Sequence, residues 1–548
     1  NRDAVEVKDV TLHLSPSQEP LTLLLPSGTK FERAKSEQGA LALEDRLSQY
    51  VEQFNLTDEE LYANTFPNSS AAWFLADYIP LFECPDEEIE RAYYFRWWTF
   101  RKHIRKVPDG WVITEFLPNV SWAGKYNTIN CAAGHHIMEG RWLRGHWQVD
   151  DYIRFWLGDC GGKMHEPGAY VCWLAAAVLE RAKVRGDWAF AKECLPGLVR
   201  NFELWERGWK CKAFPGTGTF PMGKHGDLYW TTCNYEGAEL ALGGDGARVH
   251  VNAVMFGEAQ AIAEIATATG DKALVERFGR CAKEIECAVK ERLWNRDLGF
   301  FVPEDTNGVQ KAVRELHGYS PWYFGMDMRG FEAAWNPLME PGGFNSKWGL
   351  TFPERRSDGF EISYEGHPCK WNGPVWPYAT SLVLTALANA IENGTSGTVT
   401  SADYVALLHR YAAAQVRVRQ AGTIVPWIDE VQNPDTGDWI SRTMLEKGGN
   451  SRYRERGKDY NHSTFCDLVL SGLIGIRPQV GNRLVVSPLF PPEWAYLKVE
   501  RVAYHGHEIS IVWDRDGRRY GLGAGLTVHV DGRVKARASA LARVEFDL

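Results

Sequence analysis

The 548-residue sequence contains no apolar run of the ~18 residues that a membrane-crossing helix requires, and it does not open with the charged head and apolar core of a secretory leader. A soluble chain is expected, any leader having been removed; a first residue of Asn rather than Met fits a processed product. Dense lysine and arginine runs are also missing. With 61 Lys and Arg against 70 Asp and Glu and a net charge of -9, the chain lacks the basic stripe of a nucleic-acid binder. Its eleven cysteines include no Cys-x-x-Cys pair and are odd in number, so neither a zinc site nor a disulfide framework can be read from them. They are expected to be buried as small apolar residues.

Aromatic residues, in contrast, are plentiful: 23 Trp beside 21 Tyr. Aromatic faces stack on the C–H faces of sugar rings, so this surplus suits a carbohydrate site as readily as a large aromatic core. Five Asn-x-Ser/Thr sequons, at Asn55, Asn68, Asn119, Asn393 and Asn461, permit a secreted glycoprotein.

Residues 1–40 carry short apolar runs, "VTLHL" and "LTLLL", broken by Pro and Ser, and read as a small β region. Helical periodicity then dominates residues 41–476. "AYVCWLAAAVLERAKVRGD" is followed by "DWAFAKECLPGLVRNFELWERGW", and "HVNAVMFGEAQAIAEIATATGD" by "KALVERFGRCAKEIECAVKERLW"; each first helix ends in a Gly-Asp turn. "DYVALLHRYAAAQVRVRQ" and the stretch from Val375 to Gly394 read as further helices. Helix, tight turn, helix and longer loop, repeated, predict a ring of helical hairpins whose longer loops form a functional face. Residues 477–548 switch to alternating segments such as "HEISIVWDRDG", "RRYGLGAG" and "LTVHVDG" with Asp-Gly and Gly-rich turns, and predict a β-sandwich.

Acidic residues embedded among aromatics and glycines mark the chemistry. "YWTTCNYEGAELALGGDG" carries Glu236 and Glu239 beside Trp230 and Tyr235; "TIVPWIDEVQNPDTGDW" carries Trp427, Asp429 and Glu430; "GKDYNHSTFCDL" carries Tyr460 and His462. Cleavage of a glycosidic bond needs one carboxylic acid to protonate the leaving oxygen and one carboxylate opposite it, and burial among aromatics raises a carboxyl pKa as an acid requires. The competing reading for any one of these residues is a helix cap or a surface ion pair. "KWNGPVWP", with Trp371, Asn372 and Trp376, offers aromatic walls stiffened by two prolines and a glycine that permits close approach.

These segments, in this order, resemble the (α/α)6-barrel glycoside hydrolases related to trehalase and to glycoside hydrolase family 63. "KWNGPVWPYATSLVLTAL" looks like their Trp-x-Gly-Pro-x-Trp-x-Pro motif, and "PWIDEVQNPDTGDW" is similar to the segment carrying their general base. The chain also resembles, still more in feel, the family 142-like β-L-arabinofuranosidases, with an acidic glycine-rich loop, an Asn-His-Ser ending and an appended sandwich. The resemblance spans roughly residues 85–540 and implies a mainly α fold, an (α/α)6 toroid with a short N-terminal β region and a C-terminal β-sandwich. It implies Glu430 as general base and Glu236 as general acid, Glu replacing the family's Asp, with Glu239 as the alternative. It also implies inversion at the anomeric carbon by an exo-acting enzyme.

"WAGKYNTINCAAGHHIMEGRWL" occupies the place of the first barrel loop, which binds sugar in the resembled families, and contributes Trp122, Lys125, Tyr126, Asn127, His135, Glu139 and Arg141. A zinc reading of His135, His136 and Glu139 is disfavoured, because adjacent histidines on a helix point about 100° apart. A carbohydrate substrate is thus the expected partner, with no nucleic acid, membrane, metal or organic cofactor. Two other readings stay open: a lyase or epimerase using His462 and Tyr460 for proton abstraction, and a catalytically silent carbohydrate-binding protein.

Overall fold

Gly-Asp pairs make the hairpins. Helix Leu174–Arg185 stops at Gly186 (φ +69°) and helix Val249–Thr269 at Gly270 (φ +84°), where a left-handed backbone costs glycine nothing. The aspartates that follow cap the returning helices: Asp187 accepts the Phe190 N–H and Asp271 the Leu274 N–H, each at 3.1 Å. The returning helices are Trp188–Arg207 and Lys272–Ala288. The computed structural model that provides these coordinates describes residues 42–62, 64–158, 170–212, 218–419, 422–448 and 455–548; the β region expected over residues 1–40 lies outside them.

Residues 43–548 form one compact unit. Its inner ring runs through Ala133–Gly140, Leu174–Arg185, Val249–Thr269, Leu316–Tyr319 with Ser320–Tyr323, Pro377–Glu392 and the π-helical turn Leu468–Leu473, each packed on the next. Glu139 closes the circle. Its buried carboxylate accepts the backbone N–H groups of Phe465 (3.1 Å), Cys466 (2.9 Å) and Asp467 (2.8 Å) at the start of the last segment. The intervening helices, among them Lys272–Ala288 and Ser401–Ala413, keep an outward wet face, while Val249–Thr269 is buried along most of its length. The (α/α)6 toroid implied by the resemblance is the fold.

At the C-terminus, Tyr496–Tyr504, His507–Asp514, Gly525–Val530 and Arg533–Ala538 form consecutive antiparallel strands, faced by the pair Arg483–Val486 and Val544–Asp547. Ile509, Ile511 and Trp513 are buried, as their alternation predicts. One strand of the sheet comes from ahead of the toroid: Leu81–Glu83 pairs with Tyr496–Tyr504, and Glu83 binds Arg519 (2.6 Å) and the Tyr520 hydroxyl (2.8 Å).

Two segments depart from expectation. "RRYGLGAG" is a turn rather than a strand, because Asp514 draws the N–H groups of Gly517, Arg519 and Tyr520 around its carboxylate. The end of "DYVALLHRYAAAQVRVRQ" leaves the helix at Ala413 and pairs as Val416–Val418 with Ile424–Pro426, where β-branched valines favour the strand. The ten described cysteines are free thiols, most of them buried. Among the sequons, Asn119 and Asn393 are exposed, whereas Asn461 and Asn68 are buried.

Candidate active site

The loops entering the N-terminal ends of the inner helices converge on a cavity of about 250 Å³. Its wall carries the carboxyls of Glu115, Glu239 and Glu430, the rings of Phe116, Trp122, Tyr170, Trp371, Trp376, Tyr378, Tyr460 and His462, the thiols of Cys131 and Cys369, and the guanidinium of Arg456. Six separate stretches of chain meet there. Helix N-termini around it supply a partial positive potential suited to oxygen-rich ligands. A second cavity, of about 460 Å³, is lined by Arg141, Glu180 and Asp467, charges that pair with one another.

Glu239 is fixed twice by Trp371. The Trp371 backbone N–H donates to the Glu239 carbonyl at 3.0 Å and its indole Nε1–H to the Glu239 Oε2 at 3.1 Å. Trp371 is held by the parallel ring of Trp376, 4.1 Å away, whose own Nε1–H donates to the Lys370 carbonyl. "KWNGPVWP" is therefore both wall and brace. Gly373 serves this loop itself: a Cβ there would strike the backbone of Glu361, so the close approach is between chain segments. Burial pushes the Glu239 carboxyl up to about 7; the charge of Glu430 adds to the rise and the Trp371 N–H and Arg456 oppose it. Such a carboxyl can hold its proton near neutrality.

Glu430 faces the same space. Burial raises its pKa, and Arg456, 3.3 Å from Oε2, opposes that rise more strongly than Asp429 adds to it. The Cys369 thiol lies 3.8 Å from Glu430 Oε1. Glu115, third of the group, is pushed up to about 8 by burial, with the Trp122 N–H opposing and Glu430 adding.

Glu236 sits elsewhere. It is wholly buried at the head of Val249–Thr269, outside the cavity lining, where it pairs with Arg248 Nε, meets His317 Nδ1 at 3.1 Å and accepts the Val251 N–H at 3.1 Å. Burial alone would raise its pKa, but Arg248, His317 and His250 outweigh it and hold the carboxyl well below the usual range. A carboxylate so committed has no proton to give. Glu239, three residues along the same loop, is the one of the two that lines the cavity.

Of the other expected residues, Trp122, Trp371, Trp376, Tyr460 and His462 line the cavity. Several are diverted to the scaffold. Lys125 and Tyr126 both bind Asp109, and Asn127 secures its own loop through the Phe116 and Pro118 carbonyls (2.8 and 3.1 Å). His135 packs edge-on against Trp173 and Tyr378 (5.0 and 4.5 Å). Its neighbour His136 meets the Tyr152 hydroxyl at 3.0 Å, and Glu139 is spent on closing the ring, so these three side chains do not converge. Arg141 pairs with Asp467 and Glu180, each at 2.7 Å.

Trp230 stacks on His225, 4.1 Å away, and Tyr235 leans on the wall residue Tyr170; neither Trp230 nor Tyr235 lines the cavity. Asn372 donates to Glu361 at 3.1 Å instead of pointing at the cavity. Trp427 donates to Asp429, whose carboxylate also takes the Arg442 Nε–H at 2.9 Å, so both support the Glu430 loop from behind.

Sequence reasoning missed Glu115, Arg456, Cys369, Tyr170 and Tyr378. Glu115 left one trace, a lone acid at the end of the apolar run "WVITEF". Arg456 left none, since it follows an unremarkable polar stretch.

Comparison with known proteins fits this architecture. Residues 125–220 and 220–463 match the model of the mannosylglycerate hydrolase MGH1-like glycoside hydrolase domain, and residues 476–536 that of the C-terminal domain of glycosyl hydrolase family 65. A solved protein named "Sialidase" is 35% identical over 92% of this chain with a TM-score of 0.82; this chain spans 44% of that protein's length. The GH78 family rhamnosidase of Bacillus sp. GL1 and the alpha-L-rhamnosidase of Streptomyces avermitilis are each 12% identical with a TM-score of 0.51. They cover 82% and 86% of this chain, which covers 41% of each, and they attest the fold alone.

Proposed function

The chain belongs to the mannosylglycerate hydrolase MGH1-like glycoside hydrolase family, and from that premise we propose that its cavity hydrolyses a glycosidic bond with Glu239 as general acid and Glu430 as general base. The observation that carries this is the contrast between two carboxyls on one wall: Glu239 raised to about 7 with Trp371 as its brace, Glu430 beside the Arg456 guanidinium.

Glu239 gives its proton to the glycosidic oxygen as the bond to the anomeric carbon breaks. Glu430, its charge steadied by Arg456, takes a proton from a water that attacks that carbon from the opposite face. The products are the free alcohol and a sugar of inverted configuration. The stacked Trp371 and Trp376 pair presents a flat wall to the sugar.

A cavity of about 250 Å³ lies just below the usual ~300 Å³ floor for small-molecule sites, which supports an exo-acting enzyme admitting one sugar ring. An L-arabinofuranoside from plant or microbial glycans is the leading substrate, on the resemblance to family 142-like enzymes. We assign catalysis to residues 41–476 and a supporting role to the sandwich of residues 477–548. The exposed sequons at Asn119 and Asn393 support a secreted glycoprotein. A lyase is disfavoured: burial pushes His462 down to about 3, too weakly basic to abstract a carbon-bound proton.

The test is a screen of 4-nitrophenyl glycosides followed by proton NMR of the first-formed anomer. Inverted product is expected. Retained configuration would remove Glu430 from the role of base.

A further inference from the structure

Glu115 has no part in the two-carboxyl mechanism, yet it is built into the same wall. Its backbone N–H donates to the Asn127 carbonyl at 2.8 Å, and the preceding Thr114 N–H to the His103 carbonyl at 3.0 Å, so the residue is held from both sides. The side chain is 4% exposed. Trp122, half exposed at the cavity mouth, donates its Nε1–H to Oε1 at 3.2 Å. The other oxygen, Oε2, is buried and finds no hydrogen-bond partner among the described residues.

An orphaned carboxyl oxygen is costly in a folded interior unless something satisfies it. The cavity is where its partner can arrive. Arg456, on the same wall, lies 3.3 Å from Glu430 Oε2 and over the rings of Phe116 and Trp122, and its buried Nε and Nη2 have no hydrogen-bond partner among the described residues. A carboxyl on the wall of a sugar-sized space, with one oxygen tied down and the other unpartnered, suits a hydroxyl, which can donate to it when it is ionised and accept from it when it is protonated.

We infer that Glu115 is a specificity-determining residue that binds a ring hydroxyl of the sugar seated in this cavity, a role that rests on the hydrolase reading above. Burial of Glu115 up to about 8 keeps the group mostly protonated at neutral pH and allows it to donate as well as accept.

The test pairs the protein with the 4-nitrophenyl glycoside turned over fastest in the screen and with each monodeoxy analogue of that glycoside. Wild type is expected to lose about 100-fold in kcat/KM on the one analogue lacking the hydroxyl that Glu115 reads. Glu115→Ala is expected to lose about as much on the full substrate and to show no further loss on that analogue, while Glu115→Gln recovers part of the rate. Trp122→Phe, which removes the indole donor and leaves the carboxyl, is expected to keep the discrimination. A Glu115→Ala protein that discriminates the analogues as wild type does would overturn this role and leave the hydrolase reading intact. If wild type hydrolyses no glycoside while folded, the hydrolase reading falls, and this role with it.

Discussion

Trp371 grips Glu239 at both ends, its backbone N–H on the carbonyl at 3.0 Å and its indole N–H on the carboxyl at 3.1 Å. The indole donor favours the ionised carboxylate, so removing it raises the pKa of Glu239 further above 7. Trp371→Phe is therefore expected to shift the alkaline limb of the kcat/KM profile upward and, through looser positioning, to lower the peak about tenfold. A pH–rate series on the purified variant reads both.

The wild-type profile follows from the same two groups. Glu239 must be protonated and Glu430 ionised, so activity is expected to fall as pH rises through about 7 and to fall again at acid pH as Glu430, itself raised above the usual carboxylate value, takes up a proton. The two limbs belong to the coupled pair. Activity persisting undiminished at pH 9 would contradict the assignment of Glu239.

Much of the fold was legible because it is written locally. Gly186–Asp187 and Gly270–Asp271 announce their hairpins through a left-handed glycine and a capping aspartate, and the alternation of Ile509, Ile511 and Trp513 announces its strand. The site was legible only in part. Several loops singled out in the sequence line the cavity, but Glu236 and Glu239 differ in what faces them from afar: Arg248 and His317 for one, Trp371 for the other. Nothing within "CNYEGAEL" encodes which carboxyl turns to the cavity. Glu139 and Arg141 drew attention as sugar ligands because ring closure and a buried ion pair use the same residue types. The strand Leu81–Glu83, three residues long and paired with Lys498–Glu500 far along the chain, carries no periodicity to find.

Stability should depend on pH in two opposite ways. The raised pKa values of Glu115 and Glu239 mean that the folded state binds their protons more tightly than the unfolded chain, so their contribution is full below about 4.5 and is lost as pH rises through about 7 and 8. Glu236, depressed by Arg248, contributes above the unfolded carboxylate pKa and loses that contribution on acidification. Scanning calorimetry is expected to give a falling Tm from pH 6 to pH 9, and a shallower fall for Glu115→Gln. Equal slopes would contradict the burial of Glu115.

Breaking the Glu236–Arg248 pair from one side leaves a buried charge uncompensated. Arg248→Met is expected to destabilise the fold by about 3–5 kcal/mol, measured by urea unfolding. Glu236→Gln, which keeps the shape, is expected to lower stability less and to leave the pH–rate profile where it is. A displaced alkaline limb in that variant would return Glu236 to the role of acid.

The central claim is that Glu239 protonates the leaving group. Its most direct test compares kcat/KM on an alkyl glycoside, whose departure needs a proton, with that on a 2,4-dinitrophenyl glycoside, whose departure does not, in Glu239→Gln and Glu236→Gln. The expected result is a loss of at least about 1000-fold on the alkyl substrate and of less than about 30-fold on the dinitrophenyl substrate for Glu239→Gln, with no such split for Glu236→Gln. The same split in Glu236→Gln, with Glu239→Gln equally active on both substrates, would contradict it.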